Sequence, residues 1–281
     1  LDKGINIEIK NPAAGVTALW VASQKGHAEV VKILLDRDAD IEATDPEVGA
    51  TPLFITSEND HVQVVEILLD NGANIEAKTR KEGVTSLYAA SYKGYIQVVK
   101  LLLQNGANTE VKRADSGVTP LWVAARYGHA EVVRLLIEKN ADIEAKHSTE
   151  GTTPLFVAAA KGHAKVLKLL LDKGANIEAK TKLVEVTALW VAAQNGNAEV
   201  VNLLLKKGAD LNVRFKRNGP TPLWIASQRG NTEVVELLLK KGAQMDIKVP
   251  IGYDGVTALG IARKKNFTDI AEMLKKAGAK E

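Results

Sequence analysis

The chain has 281 residues, no cysteine, 25% charged residues and a formal net charge of +3 at pH 7. The lack of cysteine excludes disulfides and thiolate-bound metals, and so small a net charge disfavours nucleic acid as a partner. No apolar run reaches the ~20 residues that a membrane-spanning helix needs, and no signal-like segment opens the sequence. We therefore expect a soluble, intracellular protein, with the cytoplasm as its compartment.

Eight related segments, here called repeats, follow one another along the chain. The first opens with Gly-Val-Thr-Ala-Leu-Trp at Gly15 to Trp20, and this opening returns every 34 residues until a last step of 36. The openings lie at Gly15, Gly49, Gly83, Gly117, Gly151, Glu185, Gly219 and Gly255. A fixed period of this size predicts one supersecondary structure stacked on itself, so function is expected on an extended surface.

Each repeat begins with a predicted short helix. A threonine can accept hydrogen bonds from the free backbone N–H groups as an N-cap, and a proline follows it in four repeats. A glycine in the left-handed conformation then ends the helix. The threonines are Thr17, Thr51, Thr85, Thr119, Thr153, Thr187, Thr221 and Thr257, and the glycines are Gly26, Gly94, Gly128, Gly162, Gly196 and Gly230. The second repeat has Asp60 in place of this glycine and Thr56 in place of an alanine, so we predict that it is the least stable.

A second helix and a loop complete each repeat. The second helix, His27 to Asp36 in the first repeat, carries the pattern E-V-V-x-x-L-L, which places apolar side chains on one face. An extended segment such as Ile75 to Lys78 is predicted after it, followed by a polar tip. We interpret segment and tip as a β-hairpin-like finger.

These residues resemble a known family. Thr119 to Ala145 reads T-P-L-W-V-A-A-R-Y-G-H-A-E-V-V-R-L-L-I-E-K-N-A-D-I-E-A and is similar to the ankyrin repeat, whose motif contains T-P-L-H-x-A-A, then G-H, a Val/Leu run and G-A-D. The likeness covers essentially the whole chain. It implies an all-α solenoid of stacked helix-turn-helix repeats with β-hairpin-like fingers.

The resemblance also implies a domain organisation, a single array over residues 1–281. Residues 1–14 are expected to be the end of a truncated repeat and the first finger, since Leu1 to Glu8 matches the end of a repeat. Residues 15–254 are expected to form seven repeats and 255–281 a C-terminal capping repeat. In this last repeat Asp269, Glu272, Lys275 and Lys276 make the second helix more polar, as a terminal repeat requires.

The sequence departs from the family motif in three respects: each repeat is one residue longer, with the extra residue in the finger, the finger asparagine is mostly glutamate, and the histidine after T-P-L is replaced. An aromatic residue replaces the motif histidine that links ankyrin repeats by hydrogen bonds, so apolar packing is expected there. The aromatic residues are Trp20, Phe54, Tyr88, Trp122, Phe156, Trp190 and Trp224, and the last repeat has Gly260 instead.

The sequence gives little evidence of a catalytic site. His27, His61, His129 and His163 share one column at the start of the second helix, where the resemblance implies a structural role. No metalloprotease, P-loop or nucleophile-elbow spacing occurs. We predict no catalytic residue, no metal, no cofactor and no enzymatic activity.

Binding residues are sought where the repeats differ, because ankyrin arrays bind through their fingers and the exposed face of the first helices. Four of the five tyrosines fall in the third and fourth repeats, and tyrosine and arginine dominate binding hot spots. Each regular finger lysine lies two residues after a glutamate, so their charges are expected to cancel on one strand face. Only the tip charges that do not repeat, near Arg80 to Arg113 and Arg214 to Arg217, count as evidence. The predicted contacts are Tyr92, Lys93, Arg126, Tyr127 and Lys161 on the first helices and Arg80, Lys81 and Arg113 on the tips.

Two functions fit these observations. The first is a monomeric protein-interaction scaffold that holds an acidic or phosphorylated segment of a partner protein in its concave groove. The second is a structural or targeting spacer in a larger multidomain protein whose activity lies outside this fragment.

Overall fold

The computed structural model describes residues 6–216, 218–250 and 255–280. The predictions for Leu1 to Ile5 and for Arg217 lie outside these residues. The described chain forms sixteen helices in eight consecutive pairs and no strand, with one isolated antiparallel bridge between Val249 and Val256. The helices are α1 (Ala18–Lys25), α2 (Ala28–Leu35), α3 (Pro52–Glu58), α4 (Val62–Asp70), α5 (Ser86–Lys93), α6 (Ile96–Gln104), α7 (Pro120–Tyr127), α8 (Ala130–Glu138), α9 (Pro154–Lys161), α10 (Ala164–Asp172), α11 (Ala188–Asn195), α12 (Ala198–Lys206), α13 (Pro222–Arg229), α14 (Thr232–Lys240), α15 (Ala258–Lys264) and α16 (Thr268–Lys276).

The predicted threonine caps begin the first helix of each pair. In seven repeats the threonine hydroxyl accepts a hydrogen bond from the backbone N–H three residues later, as at Thr51 and Phe54 (3.2 Å). Thr187 differs, because its buried hydroxyl has no partner among the described residues. Four of these helices begin on the predicted prolines.

Left-handed residues end the helices where the sequence predicts them. Gly26 and Gly162 have φ of 74° and 78°, and Asp60 adopts the same conformation with φ of 60°. The predicted left-handed backbone at Asp60 is thus confirmed. Asp38 and Asn140, which stand where glycine ends the second helix of other repeats, are left-handed as well.

The described residues belong to two compact units, the first within Leu1–Ala124 and Glu131–Asp142 and the second within Ala125–Ala130 and Ile143–Glu281. In the first unit α1 packs on α3 and α3 on α5, while α2 packs on α4 and α4 on α6. In the second unit α9, α11, α13 and α15 pack in order, as do α10, α12, α14 and α16. Each repeat therefore covers the apolar face of a neighbour in its own unit.

Leucine and valine columns form the core between these helices. The leucine in the first turn of every first helix is at most 1% exposed, and valines of the second helices are fully buried. The leucines are Leu19, Leu53, Leu87, Leu121, Leu155, Leu189, Leu223 and Leu259, and the valines include Val31, Val65, Val99, Val133, Val201 and Val235. Burying one such side chain stabilises the fold by about 1.5–3 kcal/mol.

The fingers differ from the sequence prediction in one part. Ile75 and Glu76 lie in a tight turn in which the Asn74 carbonyl accepts from Ala77 N–H (3.1 Å), so the predicted extended segment is wrong there. The Asn74 side chain favours this turn because it accepts a hydrogen bond from Glu76 N–H (3.0 Å). The tip is hairpin-like as predicted, since Thr79 N–H donates to the Val84 carbonyl (3.0 Å).

The finger glutamates join successive repeats. Each carboxylate accepts a hydrogen bond of 2.7 to 2.9 Å from a backbone N–H of the following finger, as Glu76 does from Asn108. The donors and acceptors are Asp40 and Glu8, Asn74 and Glu42, Asn108 and Glu76, Asp142 and Glu110, Asn176 and Glu144, and Asp210 and Glu178. The expected cancellation of their charges by the nearby lysines stays a prediction, because a hydrogen bond from a backbone amide leaves the carboxylate charged.

Candidate protein-binding surface

The predicted contacts of the first helices lie at the C-terminal ends of these helices. Tyr92 and Lys93 end α5, Arg126 and Tyr127 end α7, and Lys161 ends α9. A left-handed glycine follows each end, so that the chain turns directly after these side chains. Tyr92 is 39% exposed and Tyr127 is 45% exposed. Large aromatic side chains are thus accessible at positions that the repeat pattern does not reserve for the core.

In the first unit Lys93 lies against the neighbouring tyrosine. The Lys93 Nζ is 5.7 Å from the centre of the Tyr92 ring. Such a cation–π contact contributes about 0.5–1 kcal/mol at an exposed site. It places an aromatic face and a positive charge side by side at the end of α5.

Arg113 is held by one ion pair within its own finger and by another to the preceding finger. Its Nη2 lies 2.9 Å from Glu82 Oε1, and its Nε lies 2.9 Å from Asp115 Oδ1. The guanidinium also interacts with the hydroxyl of the buried Tyr88. Burial raises the pKa of Tyr88, and the interaction with Arg113 opposes the shift. Glu82 was missed as a partner because stacking of the fingers brings it to Arg113 across 31 residues, whereas Asp115 is two residues away and could have been found from the sequence.

The other two tip residues differ from each other. The Arg80 guanidinium donates to the Pro46 carbonyl (3.1 Å) and to Thr44 Oγ1 (3.2 Å) of the preceding finger. Lys81 is exposed and forms no ion pair with a described residue. Among the three predicted tip cations, Lys81 therefore offers the charge with the fewest internal contacts.

In the second unit Tyr127 and Arg126 lie beside two histidines. The rings of Tyr127 and His129 stack with centres 6.4 Å apart and 18° between their planes. His163 Nε2 lies 3.0 Å from the Arg126 carbonyl oxygen, and since a carbonyl only accepts, this nitrogen carries the proton. The backbone that supports Arg126 is thus fixed by the next repeat of the same unit.

The histidine column links repeats, as the resemblance implies. His61 Nε2 donates to the Gln24 carbonyl (3.0 Å), which repeats the geometry of His163. Where the column holds asparagine, as at Asn197 and Asn231, the side-chain amide donates to carbonyls of the preceding repeat. The structural role of His61 and His163 is thereby confirmed.

The aromatic column corrects another expectation. The indole nitrogens of Trp20, Trp190 and Trp224 donate to carbonyls in the next finger, at Ala50, Pro220 and Val256 respectively, over 2.9 to 3.0 Å. Purely apolar packing is therefore wrong for these tryptophans, because the indole N–H supplies a bond between repeats. Their rings are mostly buried, with Trp224 only 1% exposed.

The described residues contain neither a helix that could span a membrane nor a cluster that could bind a metal ion. None of their helices has both the length and the apolar character that crossing a membrane requires. They bring no three histidine, aspartate or glutamate side chains together in a cluster that could hold a metal ion.

The capped helix pairs and the bonded fingers define a helical repeat solenoid. The chain belongs to the ankyrin repeat family: residues 44–115, 87–181, 145–215 and 189–281 match the family described as ankyrin repeats in three copies, and 14–46 match a single ankyrin repeat. The crystal structure of the human ASB11 ankyrin repeat domain is similar, with a TM-score of 0.71 and 27% sequence identity over 81% of this chain and 99% of that chain. No curated protein gives a significant match. Ankyrin repeats generally serve as protein-protein interaction modules.

Proposed function

We propose that this chain is a protein-interaction scaffold that binds an acidic or phosphorylated segment of a partner protein. The observation that carries the proposal is the exposure of Tyr92 and Tyr127 at the ends of first helices. Tyrosine and arginine combine a large contact area with hydrogen-bonding ends, which is why they dominate hot spots. We assign no catalytic step to these residues, and we propose a monomer located in the cytoplasm.

In this proposal the partner contacts one set of side chains in each compact unit. Tyr92 and Lys93 supply the contacts of the first unit, with Arg80, Lys81 and Arg113 steering the partner by charge. Arg126, Tyr127 and Lys161 supply those of the second. The internal bonds of Arg80 and Arg113 lead us to expect that Lys81 contributes the most to steering among the tip residues.

A pull-down tests the proposal. The chain is compared with a variant carrying Tyr92→Ala, Arg126→Ala and Tyr127→Ala, and the matched control carries Gln24→Ala and Lys25→Ala at the same columns of the first repeat. We expect the triple variant to lose partners that the control retains. Phosphatase treatment of the lysate then separates phosphorylated segments from merely acidic ones.

Kinetics with a captured partner distinguish the two kinds of contact. Lys81→Ala should mainly slow association and flatten its salt dependence, because exposed charges act on encounter. Tyr127→Ala should mainly speed dissociation, at a cost of about 2 kcal/mol for a true hot spot. A partner whose affinity survives the triple substitution places the binding surface elsewhere and favours the spacer function.

A further inference from the structure

We propose that the second compact unit holds a separate peptide-binding pocket that takes one large apolar side chain of an acidic, extended segment. The pocket has a volume of about 510 Å³ and lies between α11, α13 and the fingers that follow them. None of its lining residues belongs to the surface proposed above. Either site can therefore fail without the other.

Aromatic and aliphatic side chains line the inner part of the pocket. Trp190 and Phe215 lie with ring centres 5.7 Å apart and 39° between their planes. Trp190, Ile225 and Val249 are at least nine-tenths buried, so they form a fixed apolar floor. The Trp190 indole N–H already donates to the Pro220 carbonyl, so this floor needs no hydrogen-bond partner from a ligand. An apolar side chain is the group that this floor can take from water.

Phe215 stands in a finger column that is polar in the earlier repeats and holds the apolar Val249 in the next one. The equivalent positions in earlier repeats are Asp45, Thr79, Arg113, His147 and Thr181. The finger fixes Phe215 in place, because its N–H donates to the Pro220 carbonyl (3.1 Å) and its carbonyl accepts from Gly219 N–H (2.8 Å). An aromatic ring thus stands where the earlier repeats have a polar side chain.

The rim of the pocket is positively charged. Lys216 and Arg229 line it, and the lining contains no aspartate or glutamate among the described residues. Neither cation forms an ion pair with a described carboxylate, and the Lys216 Nζ lies 5.8 Å from the centre of the Phe215 ring. Charge complementarity therefore selects an acidic segment over a neutral or basic one.

Two glutamines are placed to hydrogen-bond the backbone of the bound segment. Gln194 and Gln228 occupy the same column of successive repeats and line the pocket, and their side-chain amides form no hydrogen bond with a described residue. Adjacent helices lie about 8–10 Å apart, which matches roughly three residues of extended chain at about 3.3 Å each. A primary amide both donates and accepts, so the pair can bind the N–H and C=O groups of one extended peptide.

The equivalent place in the first repeats of the first unit has the opposite charge. The cavity beside Trp20 and Phe54 is lined by Glu47 and Glu58 and by no lysine or arginine among the described residues. The aromatic column alone therefore does not specify the acidic ligand. Phe215, Lys216 and Arg229 supply that preference.

Fluorescence anisotropy with synthetic peptides tests the pocket. The probe is a fluorescein-labelled peptide with Asp-Glu-Phe-Asp-Glu between Gly-Ser flanks, compared with one peptide with Ala for Phe and one with Asn and Gln for the acids. The protein variants are Phe215→Thr, which restores the residue that two other repeats have in this column, and Lys216→Glu combined with Arg229→Glu. The matched control is Lys25→Glu, at the column of Arg229 in the first repeat.

We expect the native chain to bind the acidic Phe peptide about tenfold more tightly than either comparison peptide. Phe215→Thr should remove the preference for Phe over Ala, the double charge reversal should weaken both acidic peptides, and Lys25→Glu should leave binding unchanged. Equal binding of the Phe and Ala peptides, or a Phe preference that survives Phe215→Thr, overturns the proposal. If Tyr92→Ala with Tyr127→Ala abolishes binding while Phe215→Thr does not, the pocket is refuted and the surface of the proposed function binds the peptide.

Discussion

Asp60 adopts a backbone conformation that glycine supplies at the same column of six other repeats. A side chain makes left-handed backbone costly, whereas glycine adopts it freely. This cost could be predicted from the sequence, because the column shows where φ must be positive. The sequence could not show that Thr56 is fully buried and that its hydroxyl donates to the Ser23 carbonyl (3.3 Å), since that contact depends on the stacking of α1 and α3.

Replacing Asp60 with glycine is expected to raise the free energy of unfolding by about 0.5–1 kcal/mol. Amide hydrogen exchange should then slow across Phe54 to Ile67, which we expect to open first in the native chain. Asp36→Gly is the control, since Asp36 has an ordinary right-handed φ of −60° and should gain nothing. Uniform protection of the native second repeat and its neighbours, or an unchanged stability of the variant, would contradict this prediction.

A buried serine offers a second test. Ser91 is fully buried and its hydroxyl has no partner among the described residues, while Ala125, Ala159 and Ala193 occupy the same column. Ser91→Ala should raise the free energy of unfolding by about 1 kcal/mol, because an unsatisfied buried polar group is removed. In Ser227→Ala the lost hydroxyl donates to the Leu223 carbonyl (2.8 Å), so no gain is expected. Denaturant titration of both variants measures these changes. If Ser91→Ala is less stable than the native chain, the Ser91 hydroxyl has a hydrogen-bond partner in the native chain.

Tyr88 makes stability depend on alkaline pH. Burial raises its pKa above the ordinary value in the folded state, so the folded chain favours the neutral phenol and holds its proton to higher pH than the unfolded chain. The stabilisation is complete below about pH 10 and is lost as pH rises through the folded pKa. Denaturant titrations between about pH 8 and 11 should show a shallower loss for Tyr88→Phe than for the native chain. Parallel pH profiles of the two proteins would refute the role of Tyr88.

At the scale of elements, the helices could be predicted from the sequence, whereas the fingers could be predicted only in part. Threonine caps, prolines and glycines act within a few residues, so their positions fix the helix ends. The turn at Ile75 and Glu76 was missed because the Asn74 side chain bonds its own backbone and competes with an extended strand. The bond from Asn108 to Glu76 joins residues of different repeats, which spacing alone does not reveal.

The finger bond predicts the effect of changing Glu76. Glu76→Ala should lower the free energy of unfolding by about 1 kcal/mol, because the Asn108 N–H loses a charged acceptor (2.7 Å) at a partly exposed site. Glu76→Gln keeps an oxygen acceptor of the same length and should cost less. Equal losses for the two variants would show that the hydrogen bond to the side-chain oxygen is not what stabilises the finger.

At the scale of the whole molecule, the period predicted an array with function on its surface, and the family match confirms the array. The binding residues were less accessible to sequence reasoning. The exposure of Tyr92 and Tyr127 agrees with their place outside the core pattern, but the ion pair of Arg113 with Glu82 depends on how two successive fingers stack. Phe215 could have been noticed from the sequence, because the earlier repeats have polar residues in its column. Its ring contact with Trp190 could not have been predicted from the sequence.

The hydrogen bonds of the finger glutamates also have a consequence for how many residues can be removed from the array without disrupting it. Glu42 accepts a hydrogen bond from the backbone amide of Asn74. Because this bond does not depend on the side chain at that position, the same bond can form with any repeat that follows. Excision of residues 51–84 removes one full period and should let Glu42 meet the amide of Asn108, with helical circular dichroism and cooperative unfolding retained. Excision of one residue more or fewer should put the next finger out of register and make unfolding less cooperative. If the out-of-register deletions still unfold cooperatively, the hydrogen bonds between fingers do not require a fixed repeat length. If they lose cooperativity, the array can be shortened or extended only by whole 34-residue repeats.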